Sequence, residues 1–338
     1  MMHLDSLQNP PIKKDLMEKL ICVDYPNYQA IIPNAMQKIQ KENGLLSEYL
    51  EMKIARPFTF SYESFFYLLS ILTQKYKVAL VLSSHPLLYY AYCNHFKKEE
   101  IIALIPQKDS GEIKLDEALN NGANCVILPY LNEDILTSNL HLDSKLKDIF
   151  CIWDISYALA LKMELPQNAD IFLANGENLG LMRGYGILAC KESDFYGDFG
   201  IFLEIENLYA IFLEAIKTQK VLKDDIAKEF FLALKEILGE DCSFAFKSVK
   251  NTLPLRLKGS IARKLIQAVL FDEIKIINGI ECLLGFAKPS FVLQLMGYTK
   301  REAREFLSLS FFQNTADLKK IAYKIAQKYQ QLQVLQEN

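Results

Sequence analysis

Five short apolar runs recur between residues 78 and 174, and that repetition constrains the fold more than any other feature of the chain. They are Val78-Ala79-Leu80-Val81-Leu82, Ile101-Ile102-Ala103-Leu104-Ile105, Cys125-Val126-Ile127-Leu128-Pro129, Ile149-Phe150-Cys151-Ile152-Trp153 and Ile171-Phe172-Leu173-Ala174. Unbroken apolar runs of this length, without polar alternation, are the mark of strands buried on both faces. Helical stretches fit around them, for instance from Glu63 to Tyr76 and from Asp116 to Asn121. The alternation predicts an α/β fold: a large, mostly parallel sheet flanked by helices on both faces. Chemistry in such sheets gathers at the carboxyl ends of the strands. Those ends carry His85, Asn132-Glu133, Asp154 and the segment from Asn175 to Asn178.

After Gly200 the pattern changes. Ile205 to Leu238 predicts one long charged helix, with no turn signal before Gly239. A smaller α+β region follows and ends in an amphipathic helix from Thr315 to Gln336. A chain of 338 residues suits two domains. The expected division is a large cofactor-type α/β domain over 12–205, then a connecting helix and small α+β domain over 206–338, joined by the N-terminal segment 1–11.

Composition removes several function classes. Thirty-eight basic against 41 acidic side chains, with no basic stripe, argue against a nucleic-acid partner. No apolar run reaches the roughly 18 residues of a membrane span. The opening Met1-Met2-His3-Leu4-Asp5 lacks the pattern of a signal peptide, so a cytoplasmic location is expected. With 21 Phe and 17 Tyr the chain is not of the disordered type. Seven Cys without a C-x-x-C pair and four His without ligand spacing lead us to expect no metal site.

Four features carry potential chemistry. Asp154, just after an apolar strand, is either the cap of the next helix or a buried anion meant for a cation. His85 precedes Pro86 at a strand end, where a structural role is the commoner one. Cys282 lies between Gly279 and Gly285 and reads either as a half-buried thiol or as a nucleophile. Gly184-Tyr185-Gly186 marks a tight turn or a close backbone approach.

In their order these residues resemble one family. Leu4-Asp5-Ser6-Leu7-Gln8-Asn9-Pro10-Pro11 is similar to its opening LDNxATTP, and Phe60-Ser61-Tyr62-Glu63-Ser64 falls where it has GATES. Ser84-His85 resembles its EH, Leu131-Asn132-Glu133 its NNE, and Trp153-Asp154-Ile155-Ser156-Tyr157 its VDAVQ. Arg183-Gly184-Tyr185-Gly186-Ile187-Leu188 resembles the end of its HKxxGPKGxGxL element, and Cys282 with Lys288-Pro289-Ser290-Phe291-Val292-Leu293 its SACxSxxxEPSxVL. From Leu4 to about Gln331 the chain is similar to class V aminotransferases of the cysteine desulfurase type. These are pyridoxal phosphate (PLP) proteins of fold type I, usually homodimers. The resemblance implies that Asp154 sits under the pyridine nitrogen, His85 stacks on the ring, Asn132 bonds near its hydroxyl, and Cys282 is the persulfide-forming nucleophile.

Other positions depart from the family pattern. The Schiff-base lysine falls on Asn178, whose amide cannot condense with an aldehyde. The neighbouring family His falls on Glu177, and a phosphate-binding Ser on Asn175. Phe60 and Tyr62 replace the glycine-rich helix start, and the carboxylate-gripping arginine falls on Phe306. The family's RxGTxN element is lost or shortened around Phe195 to Phe202. Lys162 and Lys191, the nearest lysines in sequence, are not expected at the cofactor position. Three readings follow: a degenerate relative that keeps the fold and dimer, an active desulfurase working through Cys282, or a cofactor-free sulfur-relay protein that binds a true desulfurase.

Overall fold

A computed structural model describes residues 2–21, 33–192, 204–279, 288–312 and 317–337. In chain order its strands are β1 (Met2–His3), β2 (Ile54–Pro57), β3 (Val78–Val81), β4 (Ile101–Leu104), β5 (Cys125–Pro129), β6 (Phe150–Asp154), β7 (Ile171–Asn175), β8 (Gly186–Cys190), β9 (Cys242–Phe244), β10 (Thr252–Leu257), β11 (Ile274–Lys275) and β12 (Phe306–Ser310). The main sheet has seven strands in the order β2-β8-β7-β6-β5-β3-β4. Strands β3 to β7 are mutually parallel, while β8 runs antiparallel to both β7 and β2. Each of the five apolar runs supplies one strand. This is the mostly parallel, helix-flanked α/β sheet that the alternation predicts.

Alternation along the strands explains the two cores. Ala79, Val81, Val126, Leu128, Cys151, Trp153 and Phe172 enter one apolar cluster. Their neighbours Val78, Leu80, Cys125, Ile127, Ile152, Ile171 and Leu173 enter another on the opposite face, with Phe58, Phe60 and Phe65. Successive strand residues point to opposite faces. Asp154 therefore shares its face with Ile152, and Asn175 shares that same face with Ile171 and Leu173. Both polar groups end strands on the side of the sheet where the phenylalanines gather.

A second sheet, in the order β12-β10-β9, is antiparallel throughout. Its core joins Leu253, Leu255, Leu307 and Leu309 to the helices Ile226–Leu238 and Leu318–Glu337. The N-terminus reaches this region: β1 pairs with β11, Asp5 bridges Ser310, and Leu4 is buried in the same core. The stretch from Ile205 to Leu238 is two helices, Leu208–Lys217 and Ile226–Leu238, rather than one. Six of the eight residues from Thr218 to Asp225 are polar, so a continued helix would have little to bury there. The first helix is also closed off at its carboxyl end: Lys13 Nζ donates to the Ala215 carbonyl at 2.8 Å and Lys162 Nζ to that of Lys217 at 2.9 Å.

Candidate functional site

The carboxyl ends of β5, β6 and β7 open onto a cavity of about 150 Å³. Glu133 enters it from the turn after β5, Tyr157 from the helix Ser156–Leu161 after β6, and Asn175 from the end of β7. Across from them the helix Pro86–His95 begins at the cavity with His85 as its cap, and Gln8 arrives from the N-terminal segment.

Two carboxyls, the buried Glu133 and the half-buried Asp154, define the electrostatics. Tyr157 donates its hydroxyl to Glu133 Oε2 at 2.8 Å. Burial first, then the nearby charge of Asp134, pushes the Glu133 carboxyl up to about 8 in spite of that bond. Asp154 takes the local role that its position allows: its Oδ1 accepts from the Ser156 backbone N–H at 3.0 Å and from the Ser156 hydroxyl. These bonds favour its charged form, but burial outweighs them and raises it to about 6. The Ser156 hydroxyl in turn accepts from the Asn175 N–H at 2.8 Å, joining the ends of β6 and β7.

His85 is a neutral ring in an aromatic nest. Its centroid lies 5.2 Å from that of Phe60 and 5.4 Å from that of Phe65. Phe58 completes the group, 5.7 Å from Phe60 and 5.6 Å from Phe65. Desolvation, with Arg183 adding a smaller push, lowers the His85 pKa to about 3. Nδ1 accepts from the Leu87 N–H at 3.3 Å, so the single ring proton resides on Nε2. Gly184-Tyr185-Gly186 supplies both features expected of it. Gly184 has φ +94°, and a Cβ on Gly186 would lie 2.6 Å from the Phe58 carbonyl oxygen and 3.1 Å from the Phe60 ring.

Asn178 lines the cavity from the short turn Gly176–Leu179, and its Nδ2 donates to the Leu7 carbonyl at 3.1 Å. Beside it, Glu177 takes Arg183 in a two-pronged pair, with Nε to Oε1 at 2.9 Å and Nη2 to Oε2 at 3.3 Å. The Asn175 side chain accepts from the Glu177 N–H and so caps this turn. Among the described residues no lysine lines the cavity. Lys162 and Lys191 lie at the far end of the sheet. Because β8 runs against β7, Lys191 pairs its N–H with Asp170 at the start of β7, while Asn175 ends that strand. Both lysines border a separate cavity of about 520 Å³.

Asn132 is adjacent in sequence but differently engaged. It is fully buried, accepts from Ser83 Oγ at 2.6 Å, and donates to Thr137 Oγ1 at 2.8 Å and Asn139 Oδ1 at 3.2 Å. Those bonds hold the 130–139 turn, in which Asp134 and Leu136 take positive φ. Phe306 lies on β12, stacked 6.1 Å from Phe246 with the Arg256 guanidinium 5.6 Å over its ring. Cys282 and the Phe195 to Phe202 stretch lie outside the described residues. Among those described, no group of three or more His, Cys, Asp or Glu is placed to hold a metal ion, and no helix is long and apolar enough to cross a membrane.

Sequence reasoning leaves out Gln8, Tyr157 and Arg183 as site residues and reads Glu133 only as a position at a strand end, with no role of its own. Glu133 and Tyr157 have a local signal, since each follows a strand end within a few residues. Gln8 has none: it reaches Glu133 only through the path of the N-terminal segment, which β1 and the Asp5 bridge hold in place.

No family model and no curated protein matches the sequence. Solved structures do match the fold. The chain is similar to an apo cysteine desulfurase from Thermococcus onnurineus NA1, with a TM-score of 0.75 at 13% identity over 98% of this chain and 95% of that one. It is also similar to a NifS-like protein, with a TM-score of 0.69 at 14% identity over 98% and 99%. A third structure, described as a SepCysS–SepCysE N-terminal domain complex, gives a TM-score of 0.59 at 13% identity over 98% and 95%. The chain thus has the class V aminotransferase-like, PLP-dependent type I fold of the NifS-like proteins and cysteine desulfurases.

Proposed function

We propose that the chain is a catalytically degenerate relative of the cysteine desulfurases, which keeps the fold and a cavity at the usual end of the sheet but not Schiff-base chemistry. One observation carries this reading: Asn178, at the position that the resemblance assigns to the lysine, spends its amide on the Leu7 carbonyl, and no other described residue brings a primary amine to the cavity. An amide nitrogen is not a nucleophile towards an aldehyde. Two further features support it. Phe60, at the position that the resemblance gives to the glycine-rich start of a phosphate-binding helix, packs with Phe58 and Phe65, and His85 packs against Phe60 and Phe65. Arg183, the cation of the cavity, is paired with Glu177. The residues present do not fit covalently held PLP.

In the same reading the large domain spans 12–205 and the smaller one 206–338 with segment 1–11, and the chain acts as a cytoplasmic homodimer. In this reading the Cys282 thiolate attacks the outer sulfur of a partner desulfurase's cysteine persulfide, and the partner's cysteine leaves as thiolate. That partner would take the place of the second protein in complexes such as the SepCysS–SepCysE structure. The test is direct. Purified protein is incubated with PLP, reduced with borohydride and digested for mass spectrometry. No lysine carries the ligand if the reading is right; a pyridoxyl-lysine anywhere in the cavity overturns it in favour of an active desulfurase using Cys282.

A further inference from the structure

We propose that the cavity binds a small plain monocarboxylate, an anion with a short apolar body and no ammonium group, held by the Gln8 amide, the His85 Nε2–H and the Arg183 guanidinium against the wall of Phe60, Pro86 and Leu87. This rests on the reading above, in which no covalently bound PLP fills the site. The geometry begins with Gln8. It is 6% exposed, lines the cavity, and its Nε2 has no hydrogen-bond partner among the described residues. Buried amide N–H groups are nearly always paired; the group nearest this one is the Glu133 carboxyl, whose ionised form it favours, so with Glu133 protonated the Gln8 N–H is open to an acceptor in the cavity. His85 adds a second donor, because Leu87 occupies Nδ1 and leaves the Nε2 proton free to donate. Arg183 adds a third at the rim, with N–H groups beyond the two that Glu177 takes.

The two acids that line the cavity, Glu177 and Glu133, do not oppose an anion at neutral pH. Glu177 is neutralised by Arg183. Glu133 is faced by Tyr157 and Gln8, with the carboxyls of Asp134 and Asp154 also near it, and it stays protonated up to about 8. It therefore offers an O–H in place of a charge. At the cavity wall an ammonium group would meet a protonated Glu133 and an already paired Glu177 rather than a free carboxylate, which is why the ligand class excludes amino acids. Cavities of about 150 Å³ take ligands of benzene size, so the carbon body is short.

The experiment is calorimetric titration of the full chain with propionate, with alanine and inorganic phosphate as parallel arms. Saturable propionate binding is expected near pH 6.5. It should weaken by up to about tenfold per pH unit above 8, because the anion needs Glu133 protonated. Gln8→Leu should cost at least about tenfold in affinity, and Glu133→Gln should remove the pH dependence. Should Gln8→Leu fail to fold, the Glu133→Gln pH profile still decides. A folded wild type that does not saturate with propionate, or that prefers alanine or phosphate, overturns the proposal. That failure is distinct from failure of the reading beneath it, which only a pyridoxyl-lysine would bring down.

Discussion

Asp134 and Ser290 are joined by a hydrogen bond across 156 positions of sequence, the serine hydroxyl donating to Asp134 Oδ2. Gly279 meets the same carboxylate from the other side, since a Cβ built on it would lie 1.8 Å from Asp134 Oδ1. Asp134 itself is held at φ +64° next to Glu133, and its carbonyl accepts from Ser308 Oγ at 2.7 Å. Positions 279 and 290, which flank Cys282 in sequence, thus converge on the turn that forms one wall of the cavity.

Gly279→Ala should therefore be strongly destabilising. It places a methyl inside the Asp134 carboxylate at φ +75°, where an L side chain is already strained. The expected loss is about 2–4 kcal/mol in chemical denaturation. Gly184→Ala is the comparison: its φ is +94° but nothing lies within 4 Å of the new Cβ, so only the backbone cost remains. Equal losses at the two sites would mean that contact with Asp134 contributes nothing.

The raised Glu133 carboxyl makes a prediction about pH and stability. Its pKa rises from 4.5 to about 8 on folding, so the folded state holds a proton that the unfolded state gives up. Stability from this group is complete below about 4.5 and is lost as pH rises through about 8. Asp154 acts with the same sign, between 3.8 and about 6. Glu133→Gln cannot ionise, so between pH 5 and 9 it should avoid a loss of about 2–4 kcal/mol that the wild type suffers. Urea midpoints at the two pH values check this; parallel pH dependence in both proteins would refute it.

How much of this is legible in the sequence depends on range. Strands β3, β5 and β7 are readable because every residue of Val78–Val81, Cys125–Pro129 and Ile171–Asn175 is buried, so local hydrophobicity reports their state directly, and β4 and β6 follow the same apolar pattern. Asp154, His85 and Asn178 are legible as positions at strand ends. Their partners are not. That the Asn178 amide serves Leu7, or that Asn132 is spent on Ser83, Thr137 and Asn139, follows from the folding of segments far apart in the chain. The single long helix expected from Ile205 to Leu238 goes the other way. Its charged residues keep a helical appearance, but the Thr218 to Asp225 stretch has too few apolar residues to bury, and two lysines from elsewhere cap the helix ahead of it.

Phe60 should be costly to remove. It is 6% exposed and packs edge-on with Phe58, Phe65 and His85. Phe60→Ala should lose about 3–4 kcal/mol, the usual cost of an aromatic deletion that leaves a cavity. It should also admit water to His85, whose pKa burial holds at about 3, and let that value move towards 6.5. Histidine proton chemical shifts followed against pH would register the change. A His85 that still fails to titrate above pH 4 in a folded variant would show that the phenylalanine is not what keeps it dry.

Asn178→Lys asks whether restoring the amine alone restores cofactor capture. The new side chain would lose the hydrogen bond to the Leu7 carbonyl, about 1 kcal/mol of stability. It would place an ammonium in a cavity whose acids are either protonated, as Glu133 is, or paired, as Glu177 is with Arg183. Burial favours the neutral amine, which is the nucleophilic form. The phosphate would still meet Phe60, which Phe65 backs, where it needs backbone N–H groups, and Glu177 where it needs a cation. The expected result is no borohydride-trapped PLP above the wild-type background at micromolar cofactor. Stoichiometric trapping in this variant would mean that the phenylalanines yield to the phosphate, and that loss of the lysine alone separates this chain from a working enzyme.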